Sequence, residues 1–494
     1  MIKLSSRTLL HWLGFSLGIV FFTAVLIFNP FGLGVNANKV VAVALLMITW
    51  WVSESLPMPA VALVPLVLFP VMGIAKIEEA AAPYANPVIF LFMGGFMIGL
   101  AIEKWNLHKR IALGIVNFTG TSGNRIILGF ILATGFLSMW LSNTATTMMM
   151  FPIALSVIHV MKESGNDSRG IANFSLCIML AIAYSANFGG ISTIIGTPPN
   201  VAYAAFIYKK YNYDISFINW MLICTPVAYL LLFTLYLVMV KWLYPSHIAS
   251  NVQTHDFIRG ELKKLGKLSK PEKRVLVIFI VTALLWITKD LINTLFTKID
   301  FLKDIRLDDN MIAVFGALLM FIVPAENTEH GHRKILEWGD TQRMAWGILL
   351  LFGGGISLAN AMEKAGLIEK LGNWIASFSG TDVFILVLVV TFISIFISEV
   401  TSNVAQVIVM APVMSGIADA LHINPFLLGI PMTLAASCAS MMPMGTPPNA
   451  IVFASGYIKI KQMMRVGLVM NLVSIILITL FCYFVLPKLL FLAK

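Results

Sequence analysis

A five-residue string, Ser142-Asn143-Thr144-Ala145-Thr146, returns 260 residues later as Ser402-Asn403-Val404-Ala405-Gln406, and each copy splits a long apolar stretch. Each is followed downstream by Gly-Thr-Pro-Pro-Asn, at 196–200 and 445–449. The same offset aligns Val88–Thr121 with Ile348–Thr381, giving 12 identities over 34 positions. They include Phe92/Phe352, Gly94/Gly354, Gly95/Gly355, Glu103/Glu363, Lys104/Lys364, Leu107/Leu367, Phe118/Phe378, Gly120/Gly380 and Thr121/Thr381. The register continues without a gap to Pro152/Pro412. Apolar bias scatters Leu and Ile matches, but it does not align Gly-Gly, Glu-Lys and Ser-Asn together. The chain is an internal duplication.

What surrounds the strings decides the solvent. The chain is 59% hydrophobic and 12% charged, with mean hydropathy +0.87, which excludes two or three soluble domains and predicts an all-α polytopic membrane protein. Runs long enough to cross a bilayer core fall near 10–29, 38–56, 59–75, 87–103, 172–207 (interrupted), 217–243, 274–295, 309–324, 345–362, 425–457 (interrupted) and 466–487. That reading gives eleven crossings. The stretches 124–160 and 383–418 are each too long for one helix and carry the Ser-Asn string in mid-run. Each is expected to be a re-entrant hairpin, because bare backbone at membrane depth must be buried in protein or face a watery cavity.

Basic residues set the orientation. Lys3 and Arg7 precede the first span, Lys104, Lys109 and Arg110 follow the fourth, and Lys459, Lys461 and Arg465 precede the last. The hydrophilic connection near 244–273 carries Arg259, Lys263, Lys264, Lys267, Lys270 and Lys273. All fall on one side, which places the N-terminus in the cytoplasm and the C-terminus outside; Lys209 and Lys210 fall on the other side. The net charge of +10 therefore needs no nucleic acid. Cys177, Cys224, Cys438 and Cys482 lie in or beside apolar segments without metal-like spacing, and are expected to be buried free thiols. No cleavable signal is evident ahead of the first span. An odd number of crossings separates the two copies, so the halves are inverted relative to one another, the symmetry of alternating access.

The four loops hold hydroxyls, carboxamides, glycines and prolines. Pro and Gly unwind helices, Ser, Thr and Asn cap the ends so exposed, and the freed carbonyls suit a small hard cation. The loops contain no His, Arg, Lys, Asp or Glu. A hydrolase would need a base beside Ser142, yet the eight histidines are scattered and none is repeat-matched, and no Walker-type loop supports an ATP-driven pump. Each helix N-terminus offers only about half a charge. An anion held here without Arg needs bound cations to balance it. Glu54, at the end of the second span, is expected to be interfacial; Glu399, opposite Met139 in the repeat, is expected to be a local structural group.

Trp50–Pro57, Gly94-Gly95 and the two pairs of loops resemble the divalent anion/sodium symporter family over nearly the whole chain from the second span onward. The resemblance implies a homodimer in which each protomer has a scaffold and an elevator-type transport domain bearing the hairpins and interrupted spans. It implies one Na+ site at Ser138, Ser142, Asn143 and the Gly196 carbonyl, and a second at Ser398, the Thr401 carbonyl, Asn403 and the Gly445 carbonyl. The dianion would lie between them, contacted by Asn143, Thr144, Ser402, Asn403, Thr197 and Thr446 against Pro198 and Pro447. Val404 departs from the pattern, because it lacks the hydroxyl that Thr144 supplies.

The expected protein is thus a non-enzymatic, Na+-coupled symporter of C4-dicarboxylates such as succinate, malate or fumarate in the cell inner membrane. Sulfate or citrate symport, dicarboxylate exchange and an anion channel are the alternatives. The expected segments are 1–36 (N-terminal segment and first span), 37–243 (first repeat), 244–273 (basic cytoplasmic connection) and 274–494 (second repeat).

Overall fold

In a lipid solvent each backbone N–H and C=O must find a partner within its own segment, so an apolar chain of this kind is driven to helix. The computed structural model describes residues 6–120, 122–163, 168–245, 252–300, 302–328, 331–370, 373 and 382–492. Among them, ten helices are long and apolar enough to cross a membrane. The hairpins are present: Gly123–Ser138 with Asn143–Glu163, and Val383–Ser398 with Asn403–Ala420. So are the interruptions, with Ser168–Gly190 followed by Pro198–Tyr211, and Phe426–Ala436 followed by Pro447–Phe453. Thr121, Phe378, Gly380 and Thr381 of the repeat lie outside the described residues.

Three details differ from expectation. The anticipated span 59–75 is two short helices, Met58–Val61 and Val64–Val71, with Pro65 in the first turn of the second, where it withholds an N–H from a continuous ladder. The second helices of the hairpins, at Asn143–Lys162 and Asn403–Ala420, are themselves among the ten long apolar helices, although the sequence reading counted neither as a crossing. Pro324–Thr328 and Gly331–Lys334 form a two-stranded antiparallel hairpin, so the protein is nearly, rather than wholly, helical. All four cysteines are buried and free.

The duplication is visible in the packing of two matched helices, Pro87–Lys104 and Trp346–Lys364. Phe92 meets its repeat mate Phe352 edge to face, with centroids 5.5 Å apart. Lys104, at the C-terminus of one helix, pairs with Asp340 ahead of the other at 2.5 Å. Lys364 pairs with Glu79, ahead of the first, at 2.6 Å. Each C-terminus is therefore tied to the other helix's entry, so the two run antiparallel, with ion pairs roughly 27 Å apart by helix rise. Cations at helix C-termini also complement the dipole.

Close approach fixes the matched glycines. A Cβ on Gly94 would lie 2.6 Å from the Ala313 backbone, and one on Gly354 would overlap the Ala62 carbonyl. Neither neighbour can swing aside, since both are main chain. Gly99 differs, because its new methyl would meet only a Leu141 methyl at 3.1 Å.

Gly354→Ala should therefore destabilise by about 1–3 kcal/mol through overpacking, despite the better helix propensity of Ala. Gly99→Ala should be near neutral. Thermal unfolding of both variants in detergent checks this, and equal midpoints would sink the close-approach argument.

Candidate functional site

The site starts from four helix N-termini. Pro occupies the first two positions after Thr197 and Thr446, where its missing N–H costs nothing, and both threonines take extended N-cap geometry. Thr446 Oγ1 accepts the Asn449 N–H at 3.4 Å. The Asn that ends each Gly-Thr-Pro-Pro-Asn string staples the preceding loop: Asn200 Nδ2 donates to Thr193 O at 2.8 Å, and Asn449 Nδ2 to Met442 O at 3.1 Å. Both side chains are fully buried. The sequence reading gave these two residues no role.

Each short helix packs on the other repeat's hairpin. Pro198–Tyr211 lies along Asn403–Ala420, and Pro447–Phe453 along Asn143–Glu163. Lys210 and Tyr211 both bind Asp419, at 2.5 and 2.8 Å. Lys162 donates to the Tyr457 hydroxyl at 3.2 Å. These ties join C-terminal ends to C-terminal ends, so each pair is parallel and its N-termini share one end. Asn143 Nδ2 reaches Thr197 Oγ1 at 3.4 Å, which brings the two pairs together. The result is a convergence of partial positive charge, carried chiefly by the three longer helices, since Pro447–Phe453 has only 7 residues.

Behind the first string sits a cluster of oxygens. Ser138 Oγ lies 2.8 Å from the Asn143 carboxamide oxygen and 2.7 Å from Ala186 O. One hydroxyl proton cannot serve both acceptors. The same end of the Asn143 carboxamide lies 3.0 Å from Ala186 O and 3.3 Å from Gly196 O. With its nitrogen turned inward, its two N–H groups would have all three of these acceptors within reach. With its oxygen inward, four oxygens face one another, an arrangement that a bound cation stabilises. Ser138, Asn143 and Gly196 of the expected first cation site are thus brought together. Ser142 instead caps its helix, accepting the Ala145 N–H at 3.3 Å.

The second repeat reproduces the motif. Ser398 Oγ lies 2.6 Å from Asn403 Oδ1 and 2.5 Å from Ala436 O. Ala436 stands where Ala186 stands in the first repeat. Thr401 turns its hydroxyl to Ile397 O at 2.9 Å, which leaves its carbonyl as the group a cation could use. Ser402, Asn403 and Val404, like Ser142, Asn143 and Thr144, are partly accessible, whereas Ser138 and Ser398 are fully buried. Thr144 makes no hydrogen bond among the described residues.

Two residues outside the repeated strings complete the arrangement. Asn187 receives Asn143 Nδ2 on its oxygen at 3.5 Å and donates to Thr446 Oγ1 at 3.1 Å, so it joins the two halves. Its repeat mate is Ser437, so self-comparison could not find it; a lone Asn in an apolar run was the available signal. Glu399 takes up the local structural role expected of it. Its carboxylate accepts the Ser440, Met441 and Met442 N–H groups at 2.8, 2.8 and 2.9 Å, and Asn471 Nδ2 at 2.6 Å. It thereby holds the loop leading to Gly445, whose Cβ, if present, would lie 3.1 Å from Glu399 Oε2. In the first repeat the matched Met139 offers its main-chain carbonyl to Thr193 Oγ1 at 2.5 Å and its sulfur to the Tyr229 hydroxyl at 3.7 Å. Glu54 is exposed in a left-handed turn and takes no part.

Glu399→Gln keeps the size but points a donor at an amide donor. Each charge-assisted bond lost costs about 1.5–3 kcal/mol, so a lowered unfolding midpoint is expected. An unchanged midpoint would show that the carboxylate does not hold the 440–442 loop.

Comparison with known proteins places this architecture. The family model described as "Sodium:sulfate symporter transmembrane region" matches residues 9–491. The chain is 40% identical over 481 residues to the sodium-dependent dicarboxylate transporter SdcS of Staphylococcus saprophyticus, covering 96% of this chain and 90% of that one. It is also 40% identical over 488 residues to SdcS of Staphylococcus aureus, with 96% and 91% covered. Among solved structures, the YdaH transporter of Alcanivorax borkumensis superposes with TM-score 0.59 at 14% identity, covering 91% of this chain and 98% of that one. MtrF of Neisseria gonorrhoeae gives 0.54 at 13% identity, with 97% of each covered. These two share the fold. The oxygen-lined helix breaks, the inverted packing and the match across nearly the whole length make this chain a multi-pass membrane transporter, and no enzyme, of the sodium:sulfate symporter family.

Proposed function

We propose that the protein is a Na+-coupled symporter of C4-dicarboxylates such as succinate, malate and fumarate. The observation that carries this is a site built from neutral oxygens and helix N-termini, with no Lys, Arg or His in its four loops. Burying an unmatched dianion there would cost tens of kcal/mol by Born arithmetic. Three long helix ends supply roughly 1.5 charges, and bound Na+ supplies the rest. The relatives named sodium-dependent dicarboxylate transporters support the choice of solute and ion.

In this reading Ser138, Asn143 and the Gly196 carbonyl hold one Na+, with Ser142 shaping the hairpin tip. Ser398, Asn403 and the Thr401 and Gly445 carbonyls hold another. The dianion rests between the tips, its carboxylates against Asn143, Thr144 and Thr197 on one side and Ser402, Asn403 and Thr446 on the other, with Pro198 and Pro447 closing the cradle. Asn187 spans the two sides. Without Na+, the Asn143 carboxamide can turn its nitrogen towards these oxygens, whereas a bound cation turns its oxygen inward and fixes the hairpin tip. Cation binding therefore precedes and organises the anion site, which is the physical origin of coupling.

The hairpins and broken helices form the moving part, carrying the site elevator-fashion past a scaffold made of the remaining helices in a homodimer. The N-terminus is cytoplasmic and the C-terminus lies outside the inner membrane. The family's description supports sulfate as a second reading. Val404, lacking a hydroxyl, removes one hydrogen bond that a compact oxyanion would use.

Reconstituted protein should accumulate labelled succinate under an inward Na+ gradient but not with choline in its place. Asn143→Ala and Asn403→Ala should each abolish that uptake in folded protein. Thr144→Ala, losing a hydrogen bond worth about 0.5–1.5 kcal/mol, should raise the apparent KM several-fold with less effect on kcat, whereas Val404→Ala should matter less. Sulfate competing better than succinate would favour the second reading, and uptake indifferent to Na+ would defeat both.

A further inference from the structure

One charged cavity has no place in the site above. It measures about 460 Å³ and is lined by Glu103, Lys104, Asn106, His108, Lys109, Met149, Arg333, Asp340 and Arg343, a size suited to a small molecule. Four cations face two carboxylates there. Lys104 and Asp340 are joined at 2.5 Å. Although its partial burial acts the other way, the Glu337 N–H and the Lys104 ammonium keep the Asp340 carboxyl below its ordinary pKa. Burial pushes the His108 imidazole down to about 4, so it is neutral at ordinary pH. Lys109 and Arg343 form no ion pair among the described residues, which leaves an excess of positive charge.

The repeat shows that the fold does not require this charge. Positions matching Lys109, Arg333 and Arg343 at the 260 offset are Glu369, Gly73 and Pro83. Those three positions carry no cation in the matched corner, where among the described residues Lys76 stands near the Lys364–Glu79 pair instead, so the two ends of the inverted pair are charged differently. Its wall is also shared. Met149 belongs to the hairpin helix that starts at Asn143, six residues or roughly 9 Å away along the axis. The other lining residues come from Glu103–Lys109 and from 333–343. Met149 is the single apolar side chain in the lining.

We infer that this cavity is a one-sided binding vestibule for the transported class of solute, a small dianion, formed where the first hairpin meets the helix end at Lys104. It rests on the transport reading above and goes beyond it by giving one membrane face a capture site of its own. A cleft of one sign concentrates counter-ions and speeds encounter, and added salt screens the effect.

The test uses membrane vesicles of both orientations containing the full-length protein, with initial rates of labelled succinate transport at saturating Na+. The Lys109→Gln/Arg333→Gln/Arg343→Gln variant should raise the apparent KM about 5- to 10-fold at low ionic strength, from one face only. That difference should shrink towards unity at high salt, and Arg343→Lys alone should behave as wild type. Lys263→Gln removes a charge from the connection outside the cavity and serves as the control. An unchanged KM in the triple variant, an equal rise from both faces, or an equal rise in the control would each overturn the vestibule. So would a difference that vanishes in vesicles of neutral lipid, which would assign the cations to lipid headgroups. Wild-type protein without Na+-dependent uptake would refute the transport reading itself, before any variant is measured.

Discussion

A broken helix inside a membrane leaves carbonyls and amides with no water to meet them, and everything distinctive about this protein follows from how those groups are satisfied. Most are stapled by side chains. Asn200 and Asn449 hold the loops that precede the short helices, and Glu399 gathers three successive amides. Oxygens crowd one another at two symmetry-related places, around Ser138 and Asn143 and around Ser398 and Asn403. The staples tie down the loops that flank both clusters.

The two halves solve one problem with different residues. Thr146 and Thr134 of the first hairpin have buried hydroxyls without partners, whereas their mates Gln406 and Ser394 bond one another at 2.6 Å across the arms of the second. A main-chain carbonyl at Met139 is answered by a carboxylate at Glu399. Inverted duplication has kept the geometry of the breaks while freeing the chemistry around them. One consequence is that Glu399 stands beside Gly445, whereas main-chain oxygens of Ser138 and Gly190 stand beside Gly196.

Much of this was legible in the chain. The hairpins expected at 124–160 and 383–418 occur at 123–163 and 383–420, because a Ser-Asn string in an apolar run has few other uses. The association of Ser138 with Asn143, and of Ser398 with Asn403, comes from the family resemblance, and the structure joins each pair by a hydrogen bond. What the chain concealed was of two kinds. Asn187, Ala186 and Ala436 act through tertiary approach, and the alanines contribute main-chain oxygens that no side chain advertises. The split of 58–71 and the strands at 324–334 were hidden differently, since hydropathy is blind to where proline interrupts a run and to how a polar connection pairs.

The paired lysines at the ends of the two antiparallel helices have a further effect. Lys104 and Asp340 are mostly covered, with side chains 14% and 29% exposed, whereas Lys364 and Glu79 are 65% and 50% exposed. Electrolyte screens the second pair more than the first. The molecule therefore carries a shielded clasp at one rim and an exposed one at the other.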